Sequence, residues 1–190
     1  MDSPRALRSS PRFMSMTKET MRQRSQPPEE RISWNDYFLK AVTLASIRSP
    51  CDRLKVGCVI VKNNRLISMG YNGFLAGTDH RSIVRWGHEQ ATIHAEINAI
   101  IHASNSINNY RLLNCNLYVT LEPCHMCAKA IVDARIDNVY FAACEPKTGS
   151  IVSVDHFFDK KFLNHKVNYA SGLLQEDSSR LLKDFFQARR

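Results

Sequence analysis

Two short motifs limit this chain to few folds: His94-Ala95-Glu96, and Pro123-Cys124-His125-Met126-Cys127 thirty residues on from that histidine. Ala95, Ile97, Ala99, Ile100 and Ile101 give the first motif the apolar run of a buried helix starting at His94. The second follows Leu117-Tyr118-Val119-Thr120-Leu121, which reads as a buried strand, and Pro123 then opens a helix over 128–134. Both motifs therefore fall at strand-to-helix joins. Cysteines one turn apart share a helix face, and at a helix N-terminus the dipole favours their thiolate forms.

One imidazole and two thiolates are three ligands for zinc. A structural zinc takes four protein ligands, whereas a catalytic one takes three and keeps a water. Such an ion lowers the pKa of its water toward ~7. Glu96 sits two residues from His94, where a carboxylate can accept the water's proton and hand it on; it is the candidate catalytic residue and not a ligand. A CxxC alone can be a redox pair or half of a structural zinc site. No second CxxC exists here to complete such a site.

A length of 190 residues suggests one domain with tails, and no run of eighteen apolar residues indicates a membrane span. The six scattered cysteines suit a reducing compartment better than a disulfide framework. The formal charge of +8 is concentrated at the two ends, a balance compatible with phosphate-bearing partners. Residues 1–31 are rich in Ser, Pro and Arg and read as a disordered basic extension. Their composition also resembles an organelle transit segment. The localisation expected is cytoplasmic, with organelle targeting by this extension left open.

Order is expected from Ser33, which caps a helix with Asp36 at its third position. Strands follow over 56–61 and 65–69, joined by a turn at Asn63-Asn64. After a loop over 71–90 come the His94 helix, strand 116–121, the Cys124 helix and strand 138–143. The order α-β-β-α-β-α-β predicts a mixed sheet with helices on both faces. The domain is placed at 32–145. Residues 146–190 form a C-terminal extension whose last helix, from about Leu173, packs on the domain.

His94-x-Glu96 with Pro123-Cys124-x-x-Cys127 resembles the cytidine and deoxycytidylate deaminase superfamily, over roughly residues 33–143. The resemblance implies a three-layer α/β/α sandwich around a five-stranded mixed sheet. It implies zinc on His94, Cys124 and Cys127, and Glu96 as acid and base. It also implies a homo-oligomer, dimeric or larger.

The segments Ser33-Trp34-Asn35-Asp36-Tyr37-Phe38 and Tyr71-Asn72-Gly73, with the long loop that follows, resemble deoxycytidylate deaminase. In that family the asparagine at the Asn72 position contacts the base, and Ala95 and Pro123 beside the ligands are assigned to substrate as well. Some phage members carry a second, structural zinc, for which Cys51, His80 and His88 are the candidates here. Magnesium is expected only if the enzyme is regulated by nucleotides.

Asn109-Tyr110-Arg111-Leu112, Lys147-Thr148-Gly149 and the Phe185-Phe186…Arg189-Arg190 tail instead resemble bacterial tRNA adenosine deaminase. That likeness makes Arg111, Phe185, Phe186, Arg189 and Arg190 candidate RNA contacts. The loop of about twenty residues after Asn72 can close over a small nucleotide and would obstruct an anticodon stem. The substrate expected is therefore dCMP, converted to dUMP and ammonia in nucleotide biosynthesis. Adenosine-to-inosine editing in a tRNA anticodon loop is the alternative.

Overall fold

A computed structural model of the chain describes residues 31–52, 54–74, 84–85, 88–89 and 92–172. Its helices are α1 (Trp34–Ile47), α2 (Ala95–Ile107) and α3 (His125–Asp133). Its long strands are β1 (Gly57–Lys62), β2 (Arg65–Tyr71), β3 (Cys115–Leu121), β4 (Asn138–Ala143) and β5 (Asn168–Ser171). The strand order is β2-β1-β3-β4-β5. The β2, β1 and β3 pairs are antiparallel, while β3, β4 and β5 run parallel. This is the five-stranded mixed sheet expected.

Local chemistry accounts for the antiparallel half. The Asp36 amide donates to Ser33 Oγ at 3.1 Å, and the Ser33 hydroxyl donates to Asp36 Oδ2 at 2.7 Å, closing the start of α1. The β1–β2 turn holds Asn63 and Asn64 at φ 50° and 56°. A two-residue hairpin of this twist needs that left-handed backbone twice, and asparagine tolerates it.

The inner strands β1, β3 and β4 are largely apolar and buried because both sheet faces are covered there. Cys58, Ile60, Leu117, Val119, Val139 and Phe141 point toward the core shared with α2 and α3. The alternate residues Val59, Val61, Tyr118 and Ala142 pack with Phe38, Leu39 and Val42 of α1. Period-two alternation thus serves two cores and gives the three layers. Among the described residues no helix is long and apolar enough to cross a membrane.

Two glycines let the helices lie directly on the strands. A Cβ on Gly57 would come within 2.1 Å of the Val42 carbonyl of α1. One on Gly70 would come within 2.3 Å of the Ala95 carbonyl of α2. Gly70 therefore sets how near the helix of the first motif approaches the sheet.

The fifth strand lies at Asn168–Ser171, beyond residue 145, so the segment read as an extension contributes to the sheet itself. The helix expected from Leu173, with Phe185, Phe186, Arg189 and Arg190, lies outside the described residues. So do residues 1–30 and His80, and His88 is described in its backbone alone.

Candidate metal centre

His94 is the N-cap of α2 and Cys124 the N-cap of α3, and neither side chain makes a capping hydrogen bond. Both side chains are left to turn toward one point. Cys127, in the first turn of α3, is buried beside them. His94 Nδ1 lies 3.6 Å from Cys124 Sγ and 3.3 Å from Cys127 Sγ, and the three donor atoms all lie within 4.8 Å of one another. A tetrahedral ion at about 2.3 Å from sulfur and 2.0–2.1 Å from nitrogen sets N···S separations near ~3.6 Å. The donor set therefore fits zinc in both size and chemistry.

Hydrogen bonding from the Cys127 thiol, joined by His94, holds the Cys124 thiol well below the usual thiol range. The same shared proton, with burial, pushes Cys127 up. A divalent cation displaces that proton and takes both sulfurs as thiolates.

Glu96 stands in the first turn of α2 and is buried. Burial pushes its carboxyl up, against the lowering effect of its own backbone N–H and of His94. A buried carboxyl that holds its proton more tightly than usual, next to the metal ligands, is suited to carrying protons to a substrate. It is not among the grouped ligand atoms.

The structure brings some of the other expected residues to this point and leaves others away from it. Ala95 and Pro123 flank the ligands and are buried. The Asn72 amide is engaged with backbone: Nδ2 donates to the Leu54 carbonyl at 2.7 Å and Oδ1 accepts from the Val56 amide at 2.8 Å. Cys51 is buried in the loop after α1, and the other members of that set, His80 and the His88 side chain, lie outside the described residues.

Arg111 lies in the α2–β3 loop, at the opposite end of α2 from His94, and a helix of 13 residues puts about 20 Å between the two ends. Its guanidinium lies over the Tyr110 ring, 5.2 Å from the centroid, and Nε donates to Tyr110 Oη at 2.7 Å. Both side chains are exposed. Sequence reasoning missed one residue, the buried Glu122, which joins the end of β3 to the segment 145–153. Its only signal in the sequence is a carboxylate set between a strand and a motif.

The zinc-binding region that defines the cytidine and deoxycytidylate deaminases matches residues 32–143. The tRNA-specific adenosine deaminase of Haemophilus influenzae is 42% identical over 151 residues, which is 79% of this chain and 81% of the relative. A solved structure from work on A-to-I editing by tRNA:A34 deaminases superposes with a TM-score of 0.58 at 33% identity, covering 75% of this chain and 94% of that one. The dCMP deaminase of cyanophage S-TIM5 gives 0.61 at 26% identity, covering 75% and 100%. The two TM-scores do not separate these relatives, because the fold is common to both; the sequence identity is higher to the tRNA enzyme.

The expectation of dCMP as substrate is thereby overturned. It rested on confining the tRNA-enzyme likeness to the second half of the chain. A match over 151 of 190 residues runs through both halves. It rested also on a loop after Asn72 that lies largely outside the described residues.

Proposed function

The chain belongs to the cytidine and deoxycytidylate deaminase family and is a zinc-dependent hydrolytic deaminase, and within that family we propose that it edits tRNA, converting adenosine in an anticodon loop to inosine. The observation that carries this reading is the 42% identity to a tRNA-specific enzyme over most of both chains.

The residues of the centre supply the chemistry. His94, Cys124 and Cys127 would hold the zinc, which when bound acidifies a water for attack on the carbon bearing the exocyclic amine. Glu96 takes the proton of that water and delivers it to the adjacent ring nitrogen of adenine. The same carboxylate then takes the remaining proton from the hydroxyl now on that carbon and passes it to the departing amine, which leaves as ammonia. The balance is adenosine plus water to inosine plus ammonia. The target nucleotide has to leave its stack to reach a carboxyl this deeply placed.

The net positive charge suits a polyanion, and its phosphate contacts make affinity fall with salt. The exposed Tyr110–Arg111 pair, and Phe185, Phe186, Arg189 and Arg190 of the tail, are the contacts assigned to RNA beyond the flipped base. A polymer reaches an Arg111 set a helix length away from the zinc site, and a mononucleotide does not.

The test is inosine formation in purified tRNA bearing adenosine at the wobble position, beside dCMP turnover, with wild type and Glu96→Ala. Inosine is expected from wild type alone, with a loss of at least ~10²-fold in the variant and zinc content unchanged. Turnover of dCMP with no inosine in any tRNA would refute the substrate. An active Glu96→Ala would refute the assigned proton carrier.

A further inference from the structure

The Glu122 carboxylate is 3% exposed and carries no cationic partner among the described ion pairs. Such a group is costly to bury unless hydrogen bonds replace its water. Here they do. Oε1 accepts three consecutive amides, from Ile151 at 2.9 Å, Val152 at 2.7 Å and Ser153 at 3.0 Å. Oε2 accepts the Glu145 amide at 3.0 Å and the Ser153 hydroxyl. Successive N–H groups converging on one oxygen make an anion nest formed by the chain itself.

The rest of the segment is fastened to Glu122 and the two residues after it, Pro123 and Cys124. Gly149 forms an isolated antiparallel bridge with Cys124. A Cβ on Gly149 would lie 2.4 Å from the Glu122 carboxyl carbon, so the carboxylate lies flat on that glycine. The Ser150 amide and hydroxyl both donate to the Pro123 carbonyl, at 3.0 and 3.2 Å. Residues 122–124 therefore hang between the sheet and the segment 145–153. Cys124 has no capping bond of its own to fix it at the start of α3.

We infer that Glu122 is a positioning residue for the metal centre: by gathering five donors of the segment 145–153 it fixes Pro123 and Cys124, and so sets the placement of one zinc ligand. It touches neither substrate nor metal. Only a longer-armed carboxylate satisfies all five donors. Glutamine would turn its N–H₂ toward amides that can only donate. Aspartate would fall short by one methylene.

This inference rests on the zinc reading of the same centre, and wild-type metal content separates the two. The experiment loads wild type, Glu122→Gln, Ser153→Ala and Leu112→Ala with zinc and follows its release to a colorimetric chelator, with circular dichroism to establish folding. Leu112 is buried in the α2–β3 loop, and its truncation serves as a core-destabilised control.

Outer contacts to a ligand are worth ~10–100-fold in metal affinity. Glu122→Gln should release zinc faster by that order, and Ser153→Ala by a few-fold. Leu112→Ala should match wild type. A folded Glu122→Gln that keeps zinc as wild type does overturns the inference, and so does Leu112→Ala releasing zinc as readily as Glu122→Gln. Should Glu122→Gln fail to fold, wild-type release from Ser153→Ala overturns it. A wild type that binds no zinc removes the underlying reading as well.

Discussion

Gly70→Ala is a one-methyl test of whether the position of α2 governs catalysis. The added Cβ would stand 2.3 Å from the Ala95 carbonyl and 2.6 Å from the Ala99 amide, both backbone atoms that cannot swing aside. Ordinary contact needs ~3.5 Å, so α2 has to withdraw by about 1 Å. Overpacking of this kind costs ~1–3 kcal/mol, which for a domain of this size lowers Tm by roughly 2–12 °C.

The same shift moves His94 and Glu96, which sit at the start of that helix. A misplacement near 1 Å costs up to ~10²-fold in rate. Gly57→Ala is the matched control. Its Cβ would meet Val42 O at 2.1 Å and Ser46 N at 2.6 Å. That is an equal insult to α1, which carries no ligand.

Calorimetry measures the two Tm losses, and initial rates of ammonia release, normalised to bound zinc, measure activity per loaded molecule. Similar Tm losses are expected, with kcat/KM lost in Gly70→Ala and nearly kept in Gly57→Ala. Equal activity in the two variants would refute the claim that α2 placement governs the chemistry.

Cys124→Ala should lose bound zinc by elemental analysis and should no longer gain Tm when zinc is added, because metal binding and folding are coupled; a zinc-dependent Tm rise as large as that of wild type would contradict the ligand set. Tyr118 is buried under α1, donates to Asn35 Oδ1 at 2.8 Å, and has its phenol pushed up from 10.0 to about 12 by burial and by Tyr140. A raised folded pKa means stability that is whole below pH 10 and lost as pH climbs toward 12. Ultraviolet titration of Tyr118→Phe should lack one late-ionising phenol, and an unchanged alkaline limb would refute its burial.

What the sequence makes legible here is whatever local periodicity and motif spacing encode. Val59 and Val61 alternate with Cys58 and Ile60, and that alternation yields a strand whichever core each set meets. Asn63-Asn64 specifies its hairpin, and His94, Cys124 and Cys127 announce a metal site through residue type alone.

β5 is different. Asn-Tyr-Ala-Ser is short and half polar, and it becomes a strand because Asn138 and Tyr140 of β4 offer an edge to Asn168 and Ala170. Glu122 is likewise silent until residues 145–153 fold back on it from more than twenty positions away. Substrate choice lies further still from any local pattern, since dCMP and adenosine both present an amine on a carbon flanked by ring nitrogen, and one centre serves either.

The sheet is antiparallel on one side of β3 and parallel on the other, and the zinc donors straddle that divide: His94 comes in with α2 against β2, and the sulfurs come with α3 between β3 and β4. During synthesis the hairpin half can assemble as soon as β3 emerges. A chain that stops short of Cys127 has no complete binding place for the ion, so metallation awaits the later half. The ion is then a rivet joining an early-built portion to a late-built one, and its loss should loosen the seam between them before either portion melts.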